Sequence, residues 1–94
     1  MKPVTRRGDI HSGHYCFPPT PGSSTSPNVN ANGRGVMRVG DNFVPHGCPK
    51  PHPVIASTGF GKVLVNGKPI VRVSSKTGCG ATVVAGSPNV LVGG

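Results

Sequence analysis

Val29-Asn30-Ala31-Asn32-Gly33-Arg34-Gly35-Val36-Met37-Arg38-Val39-Gly40-Asp41 aligns position by position with Val63-Leu64-Val65-Asn66-Gly67-Lys68-Pro69-Ile70-Val71-Arg72-Val73-Ser74-Ser75, at an offset of 34 residues. Each copy has a short run carrying β-branched residues, an Asn-Gly pair and a second apolar run that ends in Arg. That is the sequence form of a β-hairpin closed by a tight two-residue turn, here Asn32-Gly33 and Asn66-Gly67. A third copy is cut in two. Asn89-Val90-Leu91-Val92-Gly93-Gly94 supplies its first strand and Lys2-Pro3-Val4-Thr5-Arg6-Arg7-Gly8-Asp9 its second. Two strands of one hairpin drawn from opposite ends of the chain predict that the ends meet. Three repeats then surround a pseudo-threefold axis. The expected architecture is all-β, one domain over residues 1–94, with the N- and C-terminal strands completing one repeat.

Between the hairpins lie segments rich in Pro, Gly, Ser and Asn, at 11–27, 42–61 and 76–88, and these read as loops. Pro18, Pro19, Pro21 and Pro27 in the first, and Pro45, Pro49, Pro51 and Pro53 in the second, remove backbone donors and block helical continuation. The stretch Gly22 to Ser26 has the composition of a flexible linker and reads equally well as an ordered part of its repeat.

Composition bounds the rest. Of 94 residues, 15 are Gly and 11 are Pro, with no Trp and one Tyr, so a thick two-layer core is out of reach and further staples are expected. A large enzyme fold is excluded. Ten Lys and Arg against two Asp give a formal charge of +8, spread singly along the chain with no run longer than Arg6-Arg7. Such a surface favours nucleic acid, membrane or an acidic protein without choosing among them. No apolar leader follows the first basic residues, and no stretch is long enough to span a bilayer. Synthesis in the cytoplasm is the expectation, with any export by dedicated machinery. Three cysteines, an odd number, leave at least one thiol outside any disulfide.

The repeat also aligns chemistry. The pattern G-D-x4-H-x-C occurs twice, as Gly8-Asp9 with His14 and Cys16, and as Gly40-Asp41 with His46 and Cys48. In the third copy Ser75 stands at the aspartate position and Cys79 follows four residues on. Three repeats around one axis direct His14, His46 and Cys79 toward a common point, and His52 can reach it from the long second loop. Three imidazoles and one thiolate form a closed tetrahedral set of the kind zinc takes in a structural site. A rival set uses Cys16, Cys48 and Cys79 with one histidine, and a Cys16 to Cys48 disulfide competes in an oxidising compartment. His11, whose place is taken by Phe43 in the second repeat, reads as a solvent-exposed spectator.

These half-repeats, Lys2-Pro3-Val4-Thr5-Arg6, Gly35-Val36-Met37-Arg38 and Lys68-Pro69-Ile70-Val71-Arg72, together with Gly8-Asp9, Gly40-Asp41, Gly78-Cys79-Gly80 and Gly86-Ser87-Pro88-Asn89-Val90, resemble those of the PAAR (proline-alanine-alanine-arginine) repeat proteins. The resemblance covers nearly the whole chain. It implies a small β-structured cone with one structural zinc at its apex, held by His14, His46, His52 and Cys79. It also implies a place on the trimeric β-helical spike of a contractile phage tail or type VI secretion system. The literal signature tetrapeptide is absent, Ser74-Ser75 replaces Gly-Asp in the third repeat, and Gly35 lacks the proline kept at Pro3 and Pro69. His14-Tyr15-Cys16-Phe17-Pro18-Pro19 resembles the His-x-Cys-Phe-Pro-Pro loop of a subgroup. Relatives with toxin domains carry them as extensions, so the sequence is expected to be a bare tip or a carrier of separate effector cargo.

Function classes can then be ranked. An enzyme needs a nucleophile or base with an orienting acid, and the two carboxylates sit in Gly-Asp turns, so no catalysis is expected. A small basic zinc-binding nucleic-acid module is the alternative, but the stacking aromatics such binders use are nearly missing, and no specific nucleic acid is expected. The expected partner is the trimeric spike, one copy of this chain per trimer, docked through strand edges carrying Val63 and Val65, Val90 and Val92, and more weakly Val29 and Ala31. Contact with the target membrane is expected to be transient and mechanical.

Overall fold

Three backbone hydrogen bonds close a triangle around one axis in the computed structural model, which describes residues 2–13, 19–47, 51–78 and 80–93, with backbone only at 46, 47, 51 and 52. Thr5 N–H donates to the Val71 carbonyl (3.0 Å), Val71 N–H to Met37 (2.9 Å) and Met37 N–H to Thr5 (2.9 Å). These residues occupy the same position in the three repeats, so the axis inferred from the sequence is a physical ring. A second triad repeats the geometry one residue pair further out: Arg7 to Gly35, Val39 to Pro69 and Val73 to Pro3, each at 2.9 Å.

Below this ring hang three hairpins. Strands β2 (Asn30–Ala31) and β3 (Arg34–Gly35) form one, and β6 (Phe60–Val65) and β7 (Lys68–Ile70) another. The third joins β1 (Lys2–Pro3) to β8 (Leu91–Val92) in antiparallel register, Lys2 opposite Val92 and Pro3 opposite Leu91. The divided repeat is therefore assembled as expected. Asn32 and Gly33 have φ of 54° and 78°, and Asn66 and Gly67 have 54° and 80°. Left-handed values at both central positions fit the turn whose twist matches paired strands, which is why Asn-Gly occupies it.

Above the triangle the sequence reading needs correction. The Pro- and Gly-rich segments expected to be loops form a closed ring of six short extended segments, 9–12, 20–24, 41–44, 54–58, 75–78 and 81–85. The bridges Ile10 to Pro21, Gly22 to Phe43, Ala56 to Thr77, Lys76 to Thr82 and His11 to Val83 are all antiparallel. Strand β4 (Asn42–Gly47) pairs with β5 (Pro51–Ile55) to complete the circuit. Closure explains how so polar a sequence stays ordered: pairing satisfies backbone groups on both sides and leaves no free edge. Gly22 to Ser26 begins in one of these segments and is ordered, not a linker, with Gly22 N–H on the Asp9 carbonyl (2.9 Å) and Ser26 N–H on Val36 (2.9 Å). Among the described residues there is no helix.

The core is thin and layered along the axis. Val4, Val36 and Ile70, with Ala31 and Val65, fill the hairpin end, where Phe60, Val63 and Val92 pack against them. Met37, Phe43, Val54, Ala56, Val71 and Val83 fill the ring. Outside the core, each repeat turns back through a four-residue turn. Arg6 Nε and Nη2 donate to both Asp9 carboxylate oxygens at 2.9 and 3.1 Å, and Arg38 does the same to Asp41 at 2.9 and 2.9 Å. These hydrogen bonds raise both guanidinium pKa values above their ordinary range, with burial opposing by less. Protonation of these two groups therefore stabilises the fold over the whole neutral range, and the contribution fades only as pH rises through the raised values.

Candidate functional site

All three connections within the ring, 12–19, 44–53 and 78–80, leave its same rim, because the six segments alternate in direction and the repeats are equivalent. This rim is the candidate apex. His14, Cys16, Cys48 and Cys79 lie outside the described residues. Of the four expected zinc donors, His46 and His52 are described through their backbone, and the register places them directly opposite one another in the β4–β5 pair. Among the described residues no three His, Cys, Asp or Glu gather in one place.

The bases of the three connections are tied to each other. Ser12 N–H donates to the Thr82 carbonyl (2.6 Å), Val44 N–H to Pro21 (2.8 Å) and Gly78 N–H to Ile55 (2.9 Å). Inside them sits a layer formed by His11, Phe43 and Thr77, one from each repeat and all buried. The sequence reading made His11 an exposed spectator; the structure corrects this. Its ring stands edge-on to Phe43 with centroids 5.0 Å apart. Gly13 N–H donates to Nδ1 at 2.8 Å and Nε2 lies 2.7 Å from Thr20 Oγ1. Gly13 N–H can only donate, so Nδ1 accepts from it, while Nε2 faces both the Thr20 hydroxyl and, at 3.3 Å, the Thr20 N–H. The signal for burial was present in the sequence: a position that is Phe in the next repeat faces inward.

The opposite end carries the expected docking strands. Val65 is buried at 5 %, and Val63 and Val92 pack against the same cluster, so these side chains hold the hairpins together. Val90 is exposed at 37 %, as is Val29 at 39 %. Alternation along a strand then turns Leu64 and Leu91 outward, Leu64 at 59 % exposure. The expected docking set grouped valines without phasing them and did not name these two exposed leucines. Around the same end Lys2, Arg34 and Lys68 occupy one register position in the three hairpins, opposite Val92, Ala31 and Val65. The described acids are Asp9 and Asp41. Both are engaged by Arg6 and Arg38, and Arg34 only approaches Asp9 at 3.8 Å. The base is therefore an apolar end within a cationic rim.

Comparison with known proteins bears on both ends. The family described as PAAR motif matches residues 5–85. Two toxins from Pseudomonas aeruginosa strains are 40 % identical over 74 residues, covering 71 % of this chain: the NAD(P)(+) glycohydrolase toxin Tse6 and the (p)ppApp synthetase toxin Tas1. The match spans 17 % of the length of each relative.

Proposed function

The chain belongs to the PAAR-motif family, and on that premise we propose that it caps and sharpens the trimeric β-helical spike of a contractile injection apparatus, of the type VI secretion or phage-tail kind. The observation that carries this reading is the triangle of Thr5, Met37 and Val71 with three hairpins below it. A single chain with three equivalent arms can match a three-chain end with one copy. Leu64 and Leu91 supply apolar contact at that end, and Lys2, Arg34 and Lys68 supply a rim for acidic groups of the partner. The role is mechanical: the reading assigns no reaction to these residues. Two relatives named as toxins, each far longer than the matched region, support attachment of effector cargo to tips of this kind. The protein would be made in the cytoplasm and carried outward at the spike tip, touching the target membrane in transit. Mixing it with a trimeric β-helical spike from the same genome and weighing the complex by native mass measurement should give three spike chains to one of this chain. A three-to-three complex overturns the proposal.

The reading includes one structural zinc held by His14, His46, His52 and Cys79. Its support is the backbone register that sets His46 opposite His52 and the departure of all donor-bearing connections from one rim. Four protein donors leave no open position for water, which is the arrangement of a structural and not a hydrolytic zinc. Elemental analysis after dialysis against a mild chelator should find about one equivalent per chain. Ala substitution at any of the four should lose the metal, while Cys16→Ala and Cys48→Ala should keep it. The reverse pattern favours the cysteine set, and fully folded metal-free protein overturns the site.

A further inference from the structure

The three connections at the apical rim differ in length, and each is closed at its base by a different device. In the second, backbone pairing continues upward: Phe43 opposes Val54 and the ladder reaches His46 opposite His52. In the third, Thr77 does the work. Its N–H donates to the Ala81 carbonyl (2.9 Å) and its Oγ1 accepts from Ala81 N–H (3.0 Å). In the first, His11 stands at the position of Thr77 and Thr20 at that of Ala81. Here the backbone bond from His11 N–H to the Thr20 carbonyl has lengthened to 3.4 Å. The imidazole bridges the gap instead, taking Gly13 N–H on Nδ1 and meeting Thr20 Oγ1 with Nε2. One ring thus holds both ends of the segment that carries His14.

We propose that His11 is a positioning residue: a buried imidazole that ties Gly13 to Thr20, the two ends of the first apical connection, and through them supports metal binding by the histidine that connection carries. This rests on the zinc reading above. Partners of this outer kind change metal affinity by about 10–100-fold when removed. The repeat supplies the control substitution, because Phe43 fills the equivalent place with a ring of similar shape that makes no hydrogen bond to the backbone.

The experiment compares wild type, His11→Phe and Thr20→Val for zinc affinity by chelator competition. Amide exchange is read in parallel at Gly13 and at Thr5, Met37 and Val71. His11→Phe should bind zinc about tenfold or more weakly and expose Gly13 to faster exchange, with the three axial amides still protected. Unchanged affinity with a protected axis overturns the proposal. If His11→Phe loses axial protection, Thr20→Val decides: it keeps the imidazole packed and removes the 2.7 Å hydroxyl contact at Nε2, leaving only the longer one from the Thr20 N–H, and wild-type affinity in that variant overturns the proposal. Should wild type bind no zinc, the metal reading fails. The clamp is then judged by Gly13 exchange in the metal-free chain, where an unchanged rate in His11→Phe sinks it.

Discussion

Ser74 has φ of 80° at the place where Gly8 and Gly40 have 90° and 97° in the other repeats. All three are the third residue of a turn closed by a 2.9 Å bond, from Asp9 to Arg6, Asp41 to Arg38 and Ser75 to Arg72. A side chain in this region costs roughly 1–2 kcal/mol. Its exposed hydroxyl accepts from Lys2 Nζ at 2.6 Å, an interaction that returns little in water. Ser74→Gly should therefore raise stability by about 1 kcal/mol, read as a higher urea midpoint at constant slope. The missing proline at Gly35 has a steric cause of the same local kind. Pro3 packs over Gly86, where an added Cβ would come within 2.9 Å of the proline; in the second repeat the sizes are exchanged, and a Cβ on Gly35 would meet Thr25 Oγ1. Gly35→Ala should cost about 1–3 kcal/mol, and Thr25→Gly in the same chain should recover part of it. A purely additive double variant, by the same urea measurement, would count against this exchange.

At the scale of elements, the hairpins were legible and the ring was not. Asn-Gly pairs announce their turns because few sequences tolerate two left-handed residues in a row, and the offset of 34 residues then located the divided hairpin. The ring segments carry Pro, Gly and Ser, whose local preferences point to loops; their pairing comes from closure, a tertiary effect that no single window contains. His11 was misread for a related reason, since its burial depends on neighbours from the third repeat. The donors His14 and Cys79 lie outside the described residues, so of the apex only the His46 and His52 register can be set beside the sequence. The β1–β8 pair makes its own prediction. Linking Val92 to Lys2 by an Asn-Gly turn and opening the chain between Asn32 and Gly33 should leave a soluble monomer with the wild-type backbone spectrum. A permutant recovered only as aggregate would show that β1 and β8 cannot serve as an ordinary hairpin.

For the whole molecule, the division between inward and outward residues at the hairpin end lets the proposed docking be tested apart from folding. Val65→Asp places a charge in the lower cluster and should unfold or severely destabilise the protein, by about 3 kcal/mol or more. Leu64→Asp, one residue away and exposed, should leave the thermal midpoint nearly unchanged while weakening association with the spike at least tenfold, measured by titration calorimetry. A spike that binds Leu64→Asp as tightly as wild type would move the docking surface elsewhere.

The axial triangle also sets an order in time. Its bonds join residues far apart in the chain, Thr5 to Val71 and Met37 to Val71, and the ring above needs Val83 before His11 has both neighbours. Such long closures make folding slow, because chain entropy is spent before any contact repays it. During synthesis at about 5–20 residues per second, the first repeat must wait for the last segment before its own strand is paired. A fragment holding one half of the chain is therefore expected to show no protected axial amides in hydrogen exchange. Closure of the axis waits for Val71, and completion of the divided hairpin waits for β8.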